Sequence, residues 1–306
     1  MRPTLAITVA TLAFAALADV APTAAVTDAD LDCQKAIGAA AREYVSARHE
    51  ALVECANAES SGGSCDTVRR DARIARAAAA LTRRVGAACR DADLGALGFP
   101  GACPDPTGSG FTLDDLVSCL EGTHRAAIDH VFVPVEYPGG DSTFVRRDLR
   151  CQRTIGRGGR AFVAARLRAR ARCLDAQLRG DIPATVQCRA PVGAGGGRTG
   201  DRRTDARLRA AIDELRSRLG RECEDVALAD LGFPGLCIHD GGAFDVDDLR
   251  ACVEGALVPS ADDLTRVQYP TVPDPVPTAT ALPTPTPLVT PKPPPTGTCG
   301  YTTVRF

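Results

Sequence analysis

"CQKAIGAAAREYVSARHEALVEC" at residues 33–55 and "CQRTIGRGGRAFVAARLRARARC" at 151–173 align without a gap, from one cysteine to the next. In the first string Cys33, Ile37, Ala41, Tyr44, Arg48, Leu52 and Cys55 recur every three or four residues, the spacing of one helix face. A second segment repeats in register: Ile74, Ala78, Leu81, Val85 and Cys89 match Leu208, Ile212, Leu215, Leu219 and Cys223. Breakers stand between the segments, "ESSGGSC" at 59–65 and "PVGAGGGRTGD" at 191–201, so each pair reads as an antiparallel helical hairpin. The chain is thus a duplication. Its predicted fold class is mainly α: two tandem disulfide-stapled modules, each a long hairpin plus a short-helix and loop subdomain, ahead of a Pro/Thr-rich tail.

Twelve of the 13 cysteines fall into two sets of six. Cys33 and Cys55 lie on one helix about 33 Å apart at 1.5 Å per residue, too far to bond each other. Facing residues of an antiparallel hairpin share a midpoint, and Cys33 with Cys89 centres on the same turn as Cys55 with Cys65. Cys103 and Cys119 then close the remaining loop. By analogy the second copy pairs Cys151 with Cys223, Cys173 with Cys188 and Cys237 with Cys252. Six cysteines allow about fifteen pairings, and this is the one the hairpin geometry prefers. In the loop-entropy picture the long rung contributes about 4 kcal/mol and the short one about 3 kcal/mol.

Each hairpin is followed by the same word, "LGFPG" at 97–101 and 231–235. Gly98 suits the left-handed residue that ends a short helix, with Phe99 folding back over Leu94 and Pro100 forbidding continuation. Leu228, Gly232, Phe233 and Pro234 repeat these offsets. "FTLDDLVSC" (111–119) and "FDVDDLRAC" (244–252) read as the next helix starts. Thr112 and Asp245 are the N-caps, Asp115 and Asp248 stand at N3, and Phe111 is placed to staple onto Leu116. The repeated words are structural punctuation. Both copies close on kindred strings, "VEYP" at 135–138 and "VQYP" at 267–270.

The first 25 residues carry one Arg, an apolar run from Leu5 to Ala18 and small residues after it, the layout of a cleaved signal peptide. Export accounts for the cysteines, since disulfides persist in oxidising compartments. The expected location is secreted, periplasmic or cell-surface, with no transmembrane helix. With no Trp, 4% aromatics and much Ala, the core is thin and the staples compensate. The expected organisation is signal peptide 1–25, module one 33–137, linker 138–150, module two 151–269, a polyproline-like spacer 270–298 and a short segment 299–306 holding an unpaired Cys299.

Candidate chemistry is sparse. Asp240, Asp245, Asp247 and Asp248 cluster, yet they lack the ligand order of a calcium loop, and the first copy offers only Asp105, Asp114 and Asp115. His49, His124, His130 and His239 have no counterparts in the opposite copy, and no short Cys-to-Cys spacing suggests zinc. "GGGRTG" (195–200) follows no strand, and Ser142 sits in a linker. No catalytic, cofactor or metal site is therefore assigned. Charge is more suggestive: each copy pairs a basic hairpin with an acidic loop region. All basic residues except Lys35 and Lys292 are Arg, densest at 157–172. Arg166, Arg168, Arg170 and Arg172 are the candidate anionic-ligand face, expected to be exposed for the most part. Nucleic acid is a poor partner for an exported chain without aromatics interleaved among its basic residues. The plainer reading of the basic stretch is a solvated helix face; as a binding face it would suit an anionic envelope polymer or another surface protein.

The CQ-x3-G and LG-x-PG-x-C words with a Pro/Thr-rich tail resemble those of secreted cysteine-rich repeat proteins of environmental bacteria that lack an assigned activity. The resemblance covers roughly residues 33–298 and implies a class but no catalytic residues. The functional expectation is a non-catalytic binding or structural protein. The alternatives are a secreted enzyme with a site in one module only, and an inhibitor- or toxin-like module.

Overall fold

Thr27 opens the first helix, α1 (Asp28–Ser60), through a capping box in which its hydroxyl takes the Asp30 N–H and the Asp30 carboxylate takes the Thr27 N–H. The computed structural model describes residues 26–270 apart from 106–107, 109, 140–143, 194–195 and 239–240. The expected signal peptide, the spacer beyond residue 270, Cys299 and Ser142 lie outside the described residues. Six more helices follow: α2 (Thr67–Ala88), α3 (Leu113–Ala127), α4 (Val133–Glu136), α5 (Arg146–Leu178), α6 (Arg202–Cys223) and α7 (Val246–Gln268). The described residues contain no strand.

The hairpins are α1 with α2 and α5 with α6, each held at its open end and near its turn. Cys33 bonds Cys89 and Cys55 bonds Cys65, while Cys151 bonds Cys223 and Cys173 bonds Cys188. Cys103–Cys119 and Cys237–Cys252 fasten the third helix of each copy. The punctuation takes the Schellman form in both copies. Gly98 and Gly232 hold φ of 82° and 88°. The Phe99 N–H reaches the Leu94 carbonyl at 2.9 Å, and the Phe233 N–H reaches that of Leu228 at 3.1 Å. Thr112 with Asp115 and Asp245 with Asp248 then form capping boxes. Phe111 stacks on Phe99, and Phe244 on Phe233, so each helix start is clamped to the preceding stop.

The third helices differ by one residue. Copy one has one more residue than copy two between the final module cysteine and the closing Tyr (Cys119 to Tyr137 against Cys252 to Tyr269). A π-helical turn at Ile128–Phe132, between α3 and α4, absorbs the surplus. The two closing words thereby arrive in equivalent places.

Those places are in the opposite copy. Gln152 donates its side-chain amide to the Glu136 carbonyl, and Gln34 donates to the Gln268 carbonyl, each at 2.6 Å. The Tyr137 ring lies over Gly156 and its hydroxyl donates to Asn57; the Tyr269 ring lies over Gly38 and its hydroxyl donates to Asp175. Because Tyr137 touches both ends of one such pair and Tyr269 both ends of the other, α1 and α5 run antiparallel to each other. Val135 packs into the core of copy two, and Val267 into that of copy one. The CQ-x3-G word is thus the socket, and the V-x-Y-P word the plug, of a reciprocal exchange between copies. Residues expected to form two tandem modules share one compact body.

A candidate anion-binding groove

The arginines of α5 do not form one face. Arg166 and Arg170 are 0% and 1% exposed, whereas Arg168 and Arg172 point to solvent. The expectation that the four are mostly exposed holds for only two of them, because positions two apart on a helix sit on opposite sides and the loop from Cys188 to Val192 covers one side. Arg166 forks onto Asp262 at 2.8 and 2.6 Å and donates to the Val192 carbonyl at 2.9 Å. Arg170 shares Asp262 at 3.2 and 3.1 Å and donates to the Cys188 and Ala190 carbonyls. Burial pulls the Arg170 pKa below its ordinary value, with Asp262 opposing. This clamp is structural, and copy one keeps half of it as Arg48 with Asp129.

The exposed pair borders a groove of about 480 Å³ between α5 and α6. Its floor is Phe162 and Leu215, each 2% exposed, and its walls include Ala161, Ala165 and Ala211. Arg168, Arg172 and, from α6, Arg207 stand at one end; Arg218 and Glu214, paired at 2.5 Å, stand at the other. Among the described residues no carboxylate pairs with Arg168, Arg172 or Arg207.

Copy one has the same hairpin with different charges. Its Glu50 and Glu54 stand where copy two has Arg168 and Arg172, facing Arg73 where copy two has Arg207. Arg73 bridges both glutamates, at 2.6 and 3.1 Å, and Arg84 pairs with Glu43 further along. These bonds divide the corresponding surface into a cleft of about 130 Å³ and a separate pocket of about 350 Å³ at the hairpin tip. Exchange of two glutamates for arginines thus leaves three clustered cations where copy one has one arginine bridged by two carboxylates. Arg207, Arg218 and the trough residues carry no sequence motif. The available signal was the charge reversal at aligned positions, opposite an arginine that does not change.

Two histidines of copy one without counterparts in copy two, His49 and His124, are sealed in the contact between copies, whereas His130 is exposed. His49 Nε2 lies 2.8 Å from Glu136 Oε2, the side chains 1% and 0% exposed, so solutes do not reach them. Burial pushes the Glu136 carboxyl up, with the His49 imidazole opposing. His124 Nδ1 donates to the Leu120 carbonyl at 2.5 Å, and its Nε2 accepts from the Gln268 amide at 2.8 Å. Burial lowers this imidazole to about 4, keeping it neutral. Of the remaining candidates, Asp245 and Asp248 serve as caps and Asp247 pairs with Arg250 at 2.6 Å. Among the described residues no cluster of three His, Cys, Asp or Glu side chains is placed to hold a metal.

Compared with protein-family models, curated proteins and solved structures, the chain matches none.

Proposed function

We propose that this chain is an exported, non-catalytic binding protein that holds an anionic ligand in the α5–α6 groove of its second copy. The observation that carries the reading is the comparison of the two hairpins: on one scaffold, copy one sets a single arginine between two glutamates where copy two gathers three arginines without a carboxylate partner. Uncompensated guanidiniums around a concave, partly apolar surface attract anions, and Arg offers a carboxylate, sulfate or phosphate two parallel N–H bonds. Six disulfides suit an oxidising compartment, and no described helix is long and apolar enough to cross a membrane. The source of the anion, an envelope polymer or a surface molecule, follows from where the protein is exported.

The test uses the intact oxidised chain and heparin as an anionic probe. Binding at low salt should weaken steeply as salt is added, because exposed charges are screened beyond about 8 Å at physiological ionic strength. The triple variant R168Q/R172Q/R207Q should lose most of that binding. The control R76Q/R83Q/R90Q removes the same charge from exposed positions of copy one and should retain it. Equal losses in the two triples, or no binding at low salt, would refute the site.

A further inference from the structure

We infer that the ligand of this groove is a small single-chain amphiphile, its anionic head held by Arg168, Arg172 and Arg207 and its apolar body lying along the trough toward Gly158. This rests on the reading of the groove as an anion site and adds the chemical class of the ligand. Three features separate an amphiphile from a polyanion.

The cations are gathered at one end. Arg168 and Gly158 are ten residues apart on α5, about 15 Å at 1.5 Å per residue, and the trough between them has an apolar floor. A polyanion would gain from arginines spaced along the whole length. The volume, about 480 Å³, lies within the few hundred to 1,000 Å³ typical of small-molecule sites.

Substitutions between the copies also change the trough in one direction. Where copy one has Glu43, Tyr44 and Ala40, copy two has Ala161, Phe162 and Gly158. A carboxylate is removed, a hydroxyl is removed and a methyl is removed, so this stretch becomes less polar and deeper. Over the next turns Glu50 and Glu54 give way to Arg168 and Arg172, so the neighbouring stretch becomes cationic. An apolar segment joined to a cationic end is the complement of an anionic head on a hydrocarbon body.

Finally, the cation at the far end is paired. Ala161 offers Arg218 no carboxylate in the place of copy one's Glu43, and Arg218 pairs instead with Glu214 on its own helix. The trough therefore presents one free cationic end rather than two.

The experiment titrates the intact oxidised chain with hexanoate, octanoate and decanoate below their micellar concentrations, by calorimetry, alongside heparin and phosphatidylglycerol vesicles. Affinity should rise about two- to fourfold per added methylene, the range for partial to full burial of a CH2. Two variants graft copy one's own residues, which an equivalent helix already accommodates. A161E should weaken decanoate at least tenfold while leaving heparin binding within about twofold, and R168E/R172E should abolish both. Circular dichroism and thermal melting establish that each variant is folded. Heparin binding without any dependence on carboxylate chain length would overturn the amphiphile and leave the anion site standing. Capture by vesicles with no binding of monomeric carboxylates would also overturn it, in favour of a membrane surface. Failure of every probe at low salt would remove both readings.

Discussion

Arg166 and Arg170 show how a single residue can be misread from its neighbours. In "RLRARAR" all four arginines look alike, yet Arg166 occupies the α5 position that Arg48 holds on the buried face of α1, and Arg170 the position of Leu52. The helical period alone therefore placed both on the inward face. What the sequence could not supply was the partner, because Asp262 lies 96 residues from Arg166 and the covering loop has no counterpart in copy one. Two guanidiniums depending on one carboxylate make Asp262 critical. Removing one member of a buried charged set leaves the rest without compensation, at a cost of about 3–5 kcal/mol. Asp262→Asn should accordingly lower the unfolding free energy measured by chemical denaturation by that amount, whereas R168Q on the opposite face should cost less than about 0.5 kcal/mol. Equal effects from the two changes would show that the inward and outward faces are wrongly assigned.

At the scale of elements, the punctuation was legible because it is local. A Gly that must hold positive φ, a Phe that folds back and a Thr or Asp followed three residues later by Asp each act within one turn. Their chemistry can be recognised without knowing what lies across the molecule. The cysteine pairing was legible for a related reason, since an antiparallel hairpin fixes its own register. The π-helical turn was not, because it answers a one-residue surplus that matters only when both closing words must reach equivalent sockets. Gly98→Ala and Gly232→Ala test the punctuation. Forcing a Cβ into the left-handed region should cost about 1 kcal/mol or more in each case, read as matching decreases in the urea midpoint. A neutral result at Gly98 would mean that the short helix does not stop there.

The whole molecule was the least legible scale. Two strings repeated in both copies, CQ-x3-G and V-x-Y-P, gave no sign that they meet each other, still less that each meets its counterpart from the other copy. Exchange of the closing words joins the copies through Gln34, Gln152, Tyr137 and Tyr269 and carries Val135 and Val267 into each other's cores. The body should therefore unfold as one unit. Gly156→Ala places a methyl group against the Tyr137 ring, and overpacking of this kind costs roughly 1–3 kcal/mol. Calorimetry should record a single transition that moves down as a whole; two transitions, with only one displaced, would show that the copies fold independently.

That shared scaffold also makes the proposed difference between the hairpins measurable. Copy one pairs Arg73 and Arg84 with its own glutamates, and copy two gathers Arg168, Arg172 and Arg207 beside an apolar trough. The direct measurement is the stoichiometry of decanoate bound to the intact, oxidised chain at low salt, determined by calorimetry on wild type and on the variant E43A/E50R/E54R, which gives copy one the residues of copy two at those three positions. One equivalent per wild-type chain, rising to two in the variant, is the expected result. Two equivalents bound by the wild type, or one that survives R168E/R172E, would contradict the assignment of the site to the second copy.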